Sequence, residues 1–446
     1  MDIKAIAHNL TTHGIYGTYQ IYEKRKAVRL KEEMSRLENE RIMNLLQQRM
    51  QKKYSEEDRE AAYAGELKSL FIKEVFPKIY AEESKKPVEH KVVFMERGAK
   101  LSLSLKYMRN YIKENTDYEV KTFILQVRVV SDEQYYKNAK EYIREAATAK
   151  AVFICTANDL MGYLKLRPET TYIQLWHGCG VFKKVGLSTA DKKFGKTAEG
   201  HKEYPLNTNY SYVTVASPEL SWIFEESMGI DKDSGIIVPT GISRTDEFFM
   251  PEFVKNCYTK LYEAIPQAKD KKVILYAPTF RGEVANCVSP DVLDVKLFAE
   301  NLGDDYILIF KHHQSVRELP PIPEEYRNVF AFDMTREGNM NINELMTVAD
   351  ICISDYSSVV FEYSLFERPI IFFTYDIEEY IDERGLYYDF DEITPGPMFK
   401  TNEEMVDYIK HIDERFDKQE IVNFKNRFMC CCDGYSSERI LALIED

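Results

Sequence analysis

Four short segments place chemically capable residues where an apolar run ends. In Gln174-Leu175-Trp176-His177-Gly178 the run stops at a histidine, and Gly178 and Gly180 follow. Histidine titrates near neutrality, and the end of a buried strand suits a general base. A strand-end histidine that only bonds a backbone carbonyl would look the same. In Ile351-Cys352-Ile353-Ser354-Asp355-Tyr356-Ser357-Ser358 the run enters a polar turn before a predicted helix, Val359 to Phe366. Ser357 or Ser358 would cap that helix, whose free N–H groups suit a phosphate, or would cap it with no ligand at all. Glu362, about one turn in, is placed to reach a ribose hydroxyl or to face solvent.

The third segment, Tyr276-Ala277-Pro278-Thr279-Phe280-Arg281, stops its run at a proline and presents Thr279 and Arg281. Arginine matches phosphate geometry, and also forms ordinary ion pairs. The fourth is Phe310-Lys311-His312-His313-Gln314. Adjacent residues on an extended chain point to opposite sides, so His312 and His313 cannot chelate one metal together. No Asp or Cys stands at ligand spacing to them, and no metal site is expected. Histidine, arginine, serine and histidine at four strand ends fit a phosphorylated ligand. The sequence holds no P-loop and no GxGxxG at its first unit, which argues against ATP and NAD.

Those strand ends require parallel sheets. From Pro87 onward, short apolar runs alternate with helical stretches: Val92–Phe94, Thr122–Val130, Ala151–Cys155, Tyr172–Leu175, Tyr212–Val215 and Gly235–Val238. After a break near 245–260 a second series follows: Val273–Tyr276, Tyr306–Phe310, Val329–Phe332, Ile351–Ser354 and Ile370–Phe373. Runs this short suit strands buried on both faces, and the alternation implies βαβ units. An α/β fold with two doubly wound, Rossmann-like domains is predicted, at 87–250 and 251–446. Ligands in such sheets bind at the carboxyl ends of the strands, and a cleft between the domains is also available.

Residues 1–86 read as a helical extension. Tyr19 to Lys53 lacks Gly and Pro and is rich in helix formers. Ser55-Glu56-Glu57-Asp58 predicts a capped helix start, and Pro77 should kink or end the second helix. Between Glu23 and Lys53 stand ten Lys or Arg against five Glu, in a chain of net charge −14. Apolar positions 30, 34, 37, 42, 45 and 46 recur at helical spacing. Such a helix can lie on an anionic membrane or pair with a second copy.

The acidic balance argues against nucleic acid as a partner. No apolar run is long enough to span a membrane, and Met1-Asp2-Ile3-Lys4 opens no secretion signal. None of the eight cysteines forms a CxxC pair, so a reduced cytoplasmic chain is expected.

From about Val92 to its end, the chain resembles the CDP-glycerol glycerophosphotransferase family, which includes teichoic acid primases and polymerases. The ordered motifs are Trp176-His177-Gly178 with Lys183-Lys184-Val185-Gly186, then Gly241 to Asp246, Tyr276 to Arg281, and His313. Ile342 to Leu345, Ala349-Asp350, Ser354 to Ser358, Thr374-Tyr375-Asp376 and Pro395-Gly396-Pro397 complete them. The resemblance implies a GT-B fold with CDP-glycerol in the C-terminal domain. It implies His177 as catalytic base, and His313, Ser357 and Ser358 as phosphate contacts. Thr279 and Arg281 would join them, with Asp355 and Glu362 toward the nucleotide. The chain differs from the family at Cys179-Gly180, at Gln314 and at Glu96 to Lys100, mostly in the half expected to hold the acceptor.

The expected reaction moves glycerol phosphate, or another polyol phosphate, from a CDP-linked donor to a hydroxyl of a lipid- or glycan-linked acceptor. CMP leaves. No cofactor is expected, and a divalent cation is compatible. Lys183, Lys184, Lys192 and Lys193, on a Gly- and Lys-rich loop from Val181 to Ser211, are expected on the acceptor side. The chain is expected in the cytoplasm or on the inner face of the membrane. A nucleotide-sugar glycosyltransferase or epimerase shares this architecture, and a non-catalytic helical adaptor is the third reading.

Overall fold

Short runs of Val, Ile, Phe and Tyr become two six-stranded parallel sheets, each covered by helices. The computed structural model describes residues 3–126, 129–190, 197–282, 286–336 and 339–445. The first sheet comprises β1 (Glu89–Glu96), β2 (Glu119–Ile124), β3 (Ala149–Ile154), β4 (Thr171–Gln174), β5 (Tyr212–Thr214) and β6 (Ile237–Val238). Its spatial order is β2-β1-β3-β4-β5-β6. The second comprises β7 (Lys272–Tyr276), β8 (Tyr306–Phe310), β9 (Ala331–Asp333), β10 (Ile351–Ser354), β11 (Ile370–Phe373) and β12 (Met398–Phe399). Its order is β12-β11-β10-β7-β8-β9. This is the expected GT-B pair of doubly wound domains. In each sheet the chain winds one way and then the other, leaving a switch point between β1 and β3 and another between β7 and β10.

Register brings the ends of β10, β7 and β8 level. Ile353 pairs with Tyr276, and Tyr276 with Phe310. Ala277 N then donates to Ile353 O at 2.9 Å and Lys311 N to Tyr276 O at 2.9 Å. The three segments that follow these strands therefore leave the sheet side by side. In the first sheet Leu175 N reaches Ile154 O at 2.8 Å, carrying β4 one step toward His177.

Alternate residues of the strands form two apolar cores. Ile274, Leu308, Ile351, Ile353 and Ile371 pack with Phe298, Met405 and Ile409 from flanking helices. Val92, Phe94, Phe153 and Ile173 pack with Leu105, Met108 and Ile112 of the helix Leu103–Asn115. Ile440, Leu441 and Ile444 of the terminal helix, Ser436–Glu445, belong to this first core. That helix thus returns to the first sheet, although by sequence it falls within 251–446. Asp246 fixes its start by accepting from Ser436 N at 3.0 Å and Ser437 N at 2.7 Å.

The chain divides into two units, residues 1–75 and 76–446. Both sheets lie in the second. It opens with the helix Phe76–Glu83, in which Pro77 is the second residue and directly follows the π turn. The first unit holds the helices Ile3–Lys53 and Arg59–Leu70 and a π turn, Phe71–Val75. The second helix starts at Arg59, later than expected. Asp58 makes no side-chain cap, because its carboxylate is bound by the Ser55 hydroxyl at 2.6 Å. The two helices are tied where Glu66 accepts from Lys53 Nζ at 2.8 Å and Tyr54 OH at 3.0 Å. The expected stripe divides: Ile42, Leu46 and Met50 are buried, whereas Leu30, Met34, Leu37 and Leu45 are exposed. No described helix is long and apolar enough to cross a membrane.

Candidate active site between the two sheets

His177 lies three residues past β4, on a turn held by its neighbours. Trp176 takes φ 57°, a left-handed conformation that a bulky residue rarely adopts. Two hydrogen bonds hold it there. Gln174 Oε1 accepts from Trp176 N at 3.0 Å, and Cys155 Sγ donates to Trp176 O at 2.7 Å. Strain of this kind is sustained only where the surroundings over-determine it, and it clusters at functional sites.

The turn aims the imidazole. His177 Nδ1 lies 3.3 Å from Cys155 O, so Nδ1 carries the proton and Nε2 is left as an acceptor. The ring is open to solvent, yet surrounding protein lowers its pKa below the ordinary histidine value by desolvation. The Cys155 carbonyl opposes this shift and the Arg244 cation adds to it. A neutral imidazole with a free Nε2 is the form a general base needs.

Across the cleft stands the turn after β10. A methyl placed on Gly178 would lie 3.6 Å from Ser358 Oγ. Gly180 has no room for any side chain, since its Cβ would meet the Phe361 ring at 2.2 Å. The two glycines let the His177 turn approach the second sheet closely. Ser358 occupies the N-cap position of the helix Val359–Tyr363 but makes no side-chain cap. Ser357 Oγ accepts weakly from Val359 N at 3.4 Å. The expected cap therefore falls to Ser357, and the helix is only five residues long.

His313 follows β8. Its Nδ1 accepts from Ser315 N at 3.2 Å, which leaves the proton on Nε2 as a donor. Desolvation and the nearby Lys183 cation lower its pKa. His312 points the other way, buried, with Nδ1 at 2.5 Å from Ser289 Oγ. The extended-chain expectation of opposite sides holds for this pair. Thr279 donates its N–H to Asp355 Oδ1 at 2.8 Å, and its buried hydroxyl has no protein partner among the described residues.

Three expected ligand contacts are engaged elsewhere. Arg281 is held inside the protein by four hydrogen bonds and by an ion pair to Asp355. Its Nε and Nη2 hold Asp376 at 2.7 and 3.0 Å, Nη2 also reaches Tyr375 OH at 3.1 Å, and Nη1 reaches Thr279 O at 2.6 Å and Asp355 Oδ2 at 3.0 Å. Its guanidinium also sits over the rings of Tyr356, Tyr375 and Tyr380. Arg281 is therefore a brace for the cleft floor, with four of its five N–H groups hydrogen-bonded to protein. Asp355 is buried and accepts from Thr279 N and Tyr356 N, so it locks the turn instead of meeting a nucleotide. Glu362 is fully buried; it accepts from Cys179 N at 3.1 Å and pairs with Arg244. It ties the two halves together and is closed to a ribose.

Lys183 and Lys184 lie on a segment annealed to the second half. Lys183 bridges Leu386 in antiparallel fashion, and Lys184 N donates to Gly385 O at 3.0 Å. Lys192 and Lys193 lie outside the described residues. Among the described residues no group of three or more His, Cys, Asp or Glu could hold a metal ion. Sequence reasoning assigned no role to Arg244, Asp376 or Tyr380. The first two stood inside motifs already noted, and only their partners far away in the chain, Glu362 for Arg244 and Arg281 for Asp376, reveal what they do.

Residues 79–446 match the family described as CDP-glycerol:poly(glycerophosphate) glycerophosphotransferase. Among individual relatives, the teichoic acid poly(ribitol-phosphate) polymerase of Bacillus spizizenii is 38% identical over 300 residues. That alignment covers 66% of this chain and 46% of the polymerase, so the chain spans about half that relative's length. The teichoic acid ribitol-phosphate primase of the same organism is 36% identical over 282 residues, 62% of this chain and 70% of the primase. The solved wall teichoic acid polymerase TagF superposes with a TM-score of 0.64 at 25% identity, covering 83% of this chain and 93% of that one. A variant of TagF soaked with CDPG gives a TM-score of 0.67 at the same identity and coverage. A match over most of its length and a shared two-sheet fold establish that this chain belongs to the CDP-glycerol:poly(glycerophosphate) glycerophosphotransferase family.

Proposed function

We propose that the protein transfers a polyol phosphate from a CDP-linked donor to an acceptor hydroxyl in teichoic acid synthesis. The carrying observation is His177, with Nε2 open, on a turn whose Gly178 faces Ser358 across the cleft. The acceptor oxygen attacks the donor's β-phosphorus, and the bond from that phosphorus to the bridging oxygen breaks. CMP leaves with the bridging oxygen, and the hydroxyl proton passes to His177 Nε2. Ser357, Ser358, Thr279 and Nε2–H of His313 would hold the diphosphate, a reading supported by the unpartnered Thr279 hydroxyl and the free Nε2–H. Such displacements are mainly positioning and charge stabilisation. Relatives are named for both ribitol and glycerol phosphate, so CDP-glycerol and CDP-ribitol are both candidate donors.

The test is CMP release from each CDP-polyol with a lipid-linked acceptor, comparing the wild type with His177→Ala. Loss of about 10²–10⁴-fold in rate with donor binding retained supports the assignment. Release of CMP at the wild-type rate by His177→Ala refutes it.

The acceptor reading extends to location. The exposed stripe Leu30, Met34, Leu37 and Leu45 lies on a helix with an excess of basic residues, which supports attachment to an anionic membrane surface. Sedimentation with anionic liposomes should then weaken as salt rises. A helix stripe that pairs with a second copy would instead ignore liposomes and give a salt-resistant dimer.

A further inference from the structure

Lys183 enters the cleft from the first half but is held by the second. Its strand segment is annealed on both sides: Lys184 N donates to Gly385 O at 3.0 Å, and Tyr387 N to Phe182 O at 2.9 Å. Phe182 is wedged between the Phe361 and Phe390 rings, at 4.6 and 5.2 Å. The side chain is thereby fixed, with Nζ 5.7 Å from the centre of the Tyr380 ring. Among the described residues no carboxylate lies within ion-pair distance of it. The groups that face it are Asp355, Arg281, Arg384, His313 and Tyr380. The one acid there, Asp355, is already spent on Thr279 N, Tyr356 N and Arg281. A half-buried ammonium beside two guanidiniums, without a free carboxylate, is a cation waiting for an anion.

We propose that Lys183 is an anchor for the donor's diphosphate, supplied across the cleft by the first half, and does not belong to the acceptor side. The inference rests on the donor reading above. It places a positive charge where His313, Ser357 and Ser358 offer only neutral donors. Because Lys183 belongs to the first half and its segment is zipped to Gly385–Tyr387, donor binding and the seating of the His177 turn become one event.

Desolvation, with the Arg384 and Arg281 cations, lowers the Lys183 pKa to about 8, against the opposing pull of Asp355. A bound diphosphate restores the charged form. Affinity should therefore fall as pH rises through that value. Arg281 stays charged throughout, and Tyr380 is held well above its ordinary value by burial, so neither titrates in this window.

Calorimetry on the full chain with CDP-glycerol, CDP-ribitol and inorganic pyrophosphate, at pH 7 and pH 9, tests this. Wild type should bind more weakly at pH 9. Lys183→Met should weaken binding at pH 7 by about tenfold to a hundredfold, the scale of one charged hydrogen bond, and should lose the pH dependence. Lys183→Arg should retain affinity at both pH values, and Lys202→Met, on the exposed surface, should match wild type. Lys183→Gln serves if the Met variant does not fold, as judged by its melting curve. Unchanged affinity in a folded Lys183 variant overturns the proposal. If wild type binds pyrophosphate but neither CDP-polyol, the donor reading falls, and the Lys183 variants are then judged on pyrophosphate. Wild type that binds none of the three overturns both.

Discussion

Glu362 accepts the backbone N–H of Cys179 at 3.1 Å, two residues past His177, and pairs through the same oxygen with Arg244. One buried carboxylate on the second half thus fixes the turn that carries the candidate base. Removing it strands Arg244, whose side chain is 13% exposed, without a counter-charge. Breaking a buried pair by deleting one partner typically costs about 3–5 kcal/mol. Glu362→Ala should therefore lower stability by that order in denaturant titration. Replacing both residues, Glu362→Met with Arg244→Met, should cost less than the single change. A Glu362→Ala protein as stable as wild type would show that the pair contributes nothing.

His177 predicts the shape of the pH–rate profile. In the proposed mechanism catalysis needs the unprotonated imidazole, and desolvation holds the His177 pKa below the ordinary 6.5. The rate should accordingly stay level as pH falls through the usual histidine range and decline only at more acidic values. Measuring kcat/KM for CMP release between pH 4.5 and pH 8 checks this. A midpoint above 6.5 would mean that desolvation does not dominate at His177 or that another group limits the rate.

His312 predicts an acid-sensitive fold. It is buried, and desolvation lowers its pKa from 6.5 to about 4. Between those values the unfolded chain binds a proton that the folded chain refuses, so stability rises with pH across the window and is lost on acidification. The full effect is of order 3 kcal/mol, complete near pH 4. His312→Gln, which can still face Ser289, should flatten the slope of stability against pH between 6.5 and 4. An unchanged slope would place the acid sensitivity elsewhere.

Much of this was legible before the fold was seen, because strand burial on both faces leaves unbroken apolar runs. Each strand overlaps such a run except β12, whose two residues, Met398 and Phe399, carry no pattern; the run Thr122–Val130 meets β2 only at 122–124, because that partly exposed strand begins at Glu119 and ends at Ile124. His177, His313, Ser357, Ser358 and Thr279 stand out because each follows a run directly. What sequence spacing does not encode is how a polar side chain is spent. Arg281 is emptied by Asp376, and Glu362 by Arg244 and Cys179, all far away in the chain. Lys183 misleads in the opposite sense: its neighbours in sequence belong to the first half, but its backbone is zipped to Gly385 and Leu386.

The two glycines of the His177 turn separate packing from chemistry. At Gly180 a Cβ would sit 2.2 Å from the Phe361 ring, which is buried and itself packed on Phe182, Phe424 and Phe428. The ring has nowhere to go, so Gly180→Ala should cost about 1–3 kcal/mol as overpacking and lower the melting temperature. At Gly178 the nearest atoms, Ser358 Oγ and Gly180 O, lie 3.6 Å from the added methyl, an ordinary contact. Gly178→Ala should leave the melting temperature near that of wild type. Its methyl, however, would lie beside Ser358 Oγ, next to where the proposed reaction places the donor phosphate, and a displacement of about 1 Å there can cost about a hundredfold in rate. The expected pattern is a destabilised Gly180→Ala protein, and a stable Gly178→Ala protein with sharply reduced CMP release. A stable Gly178→Ala protein with the wild-type rate would place the reaction away from the gap between His177 and Ser358.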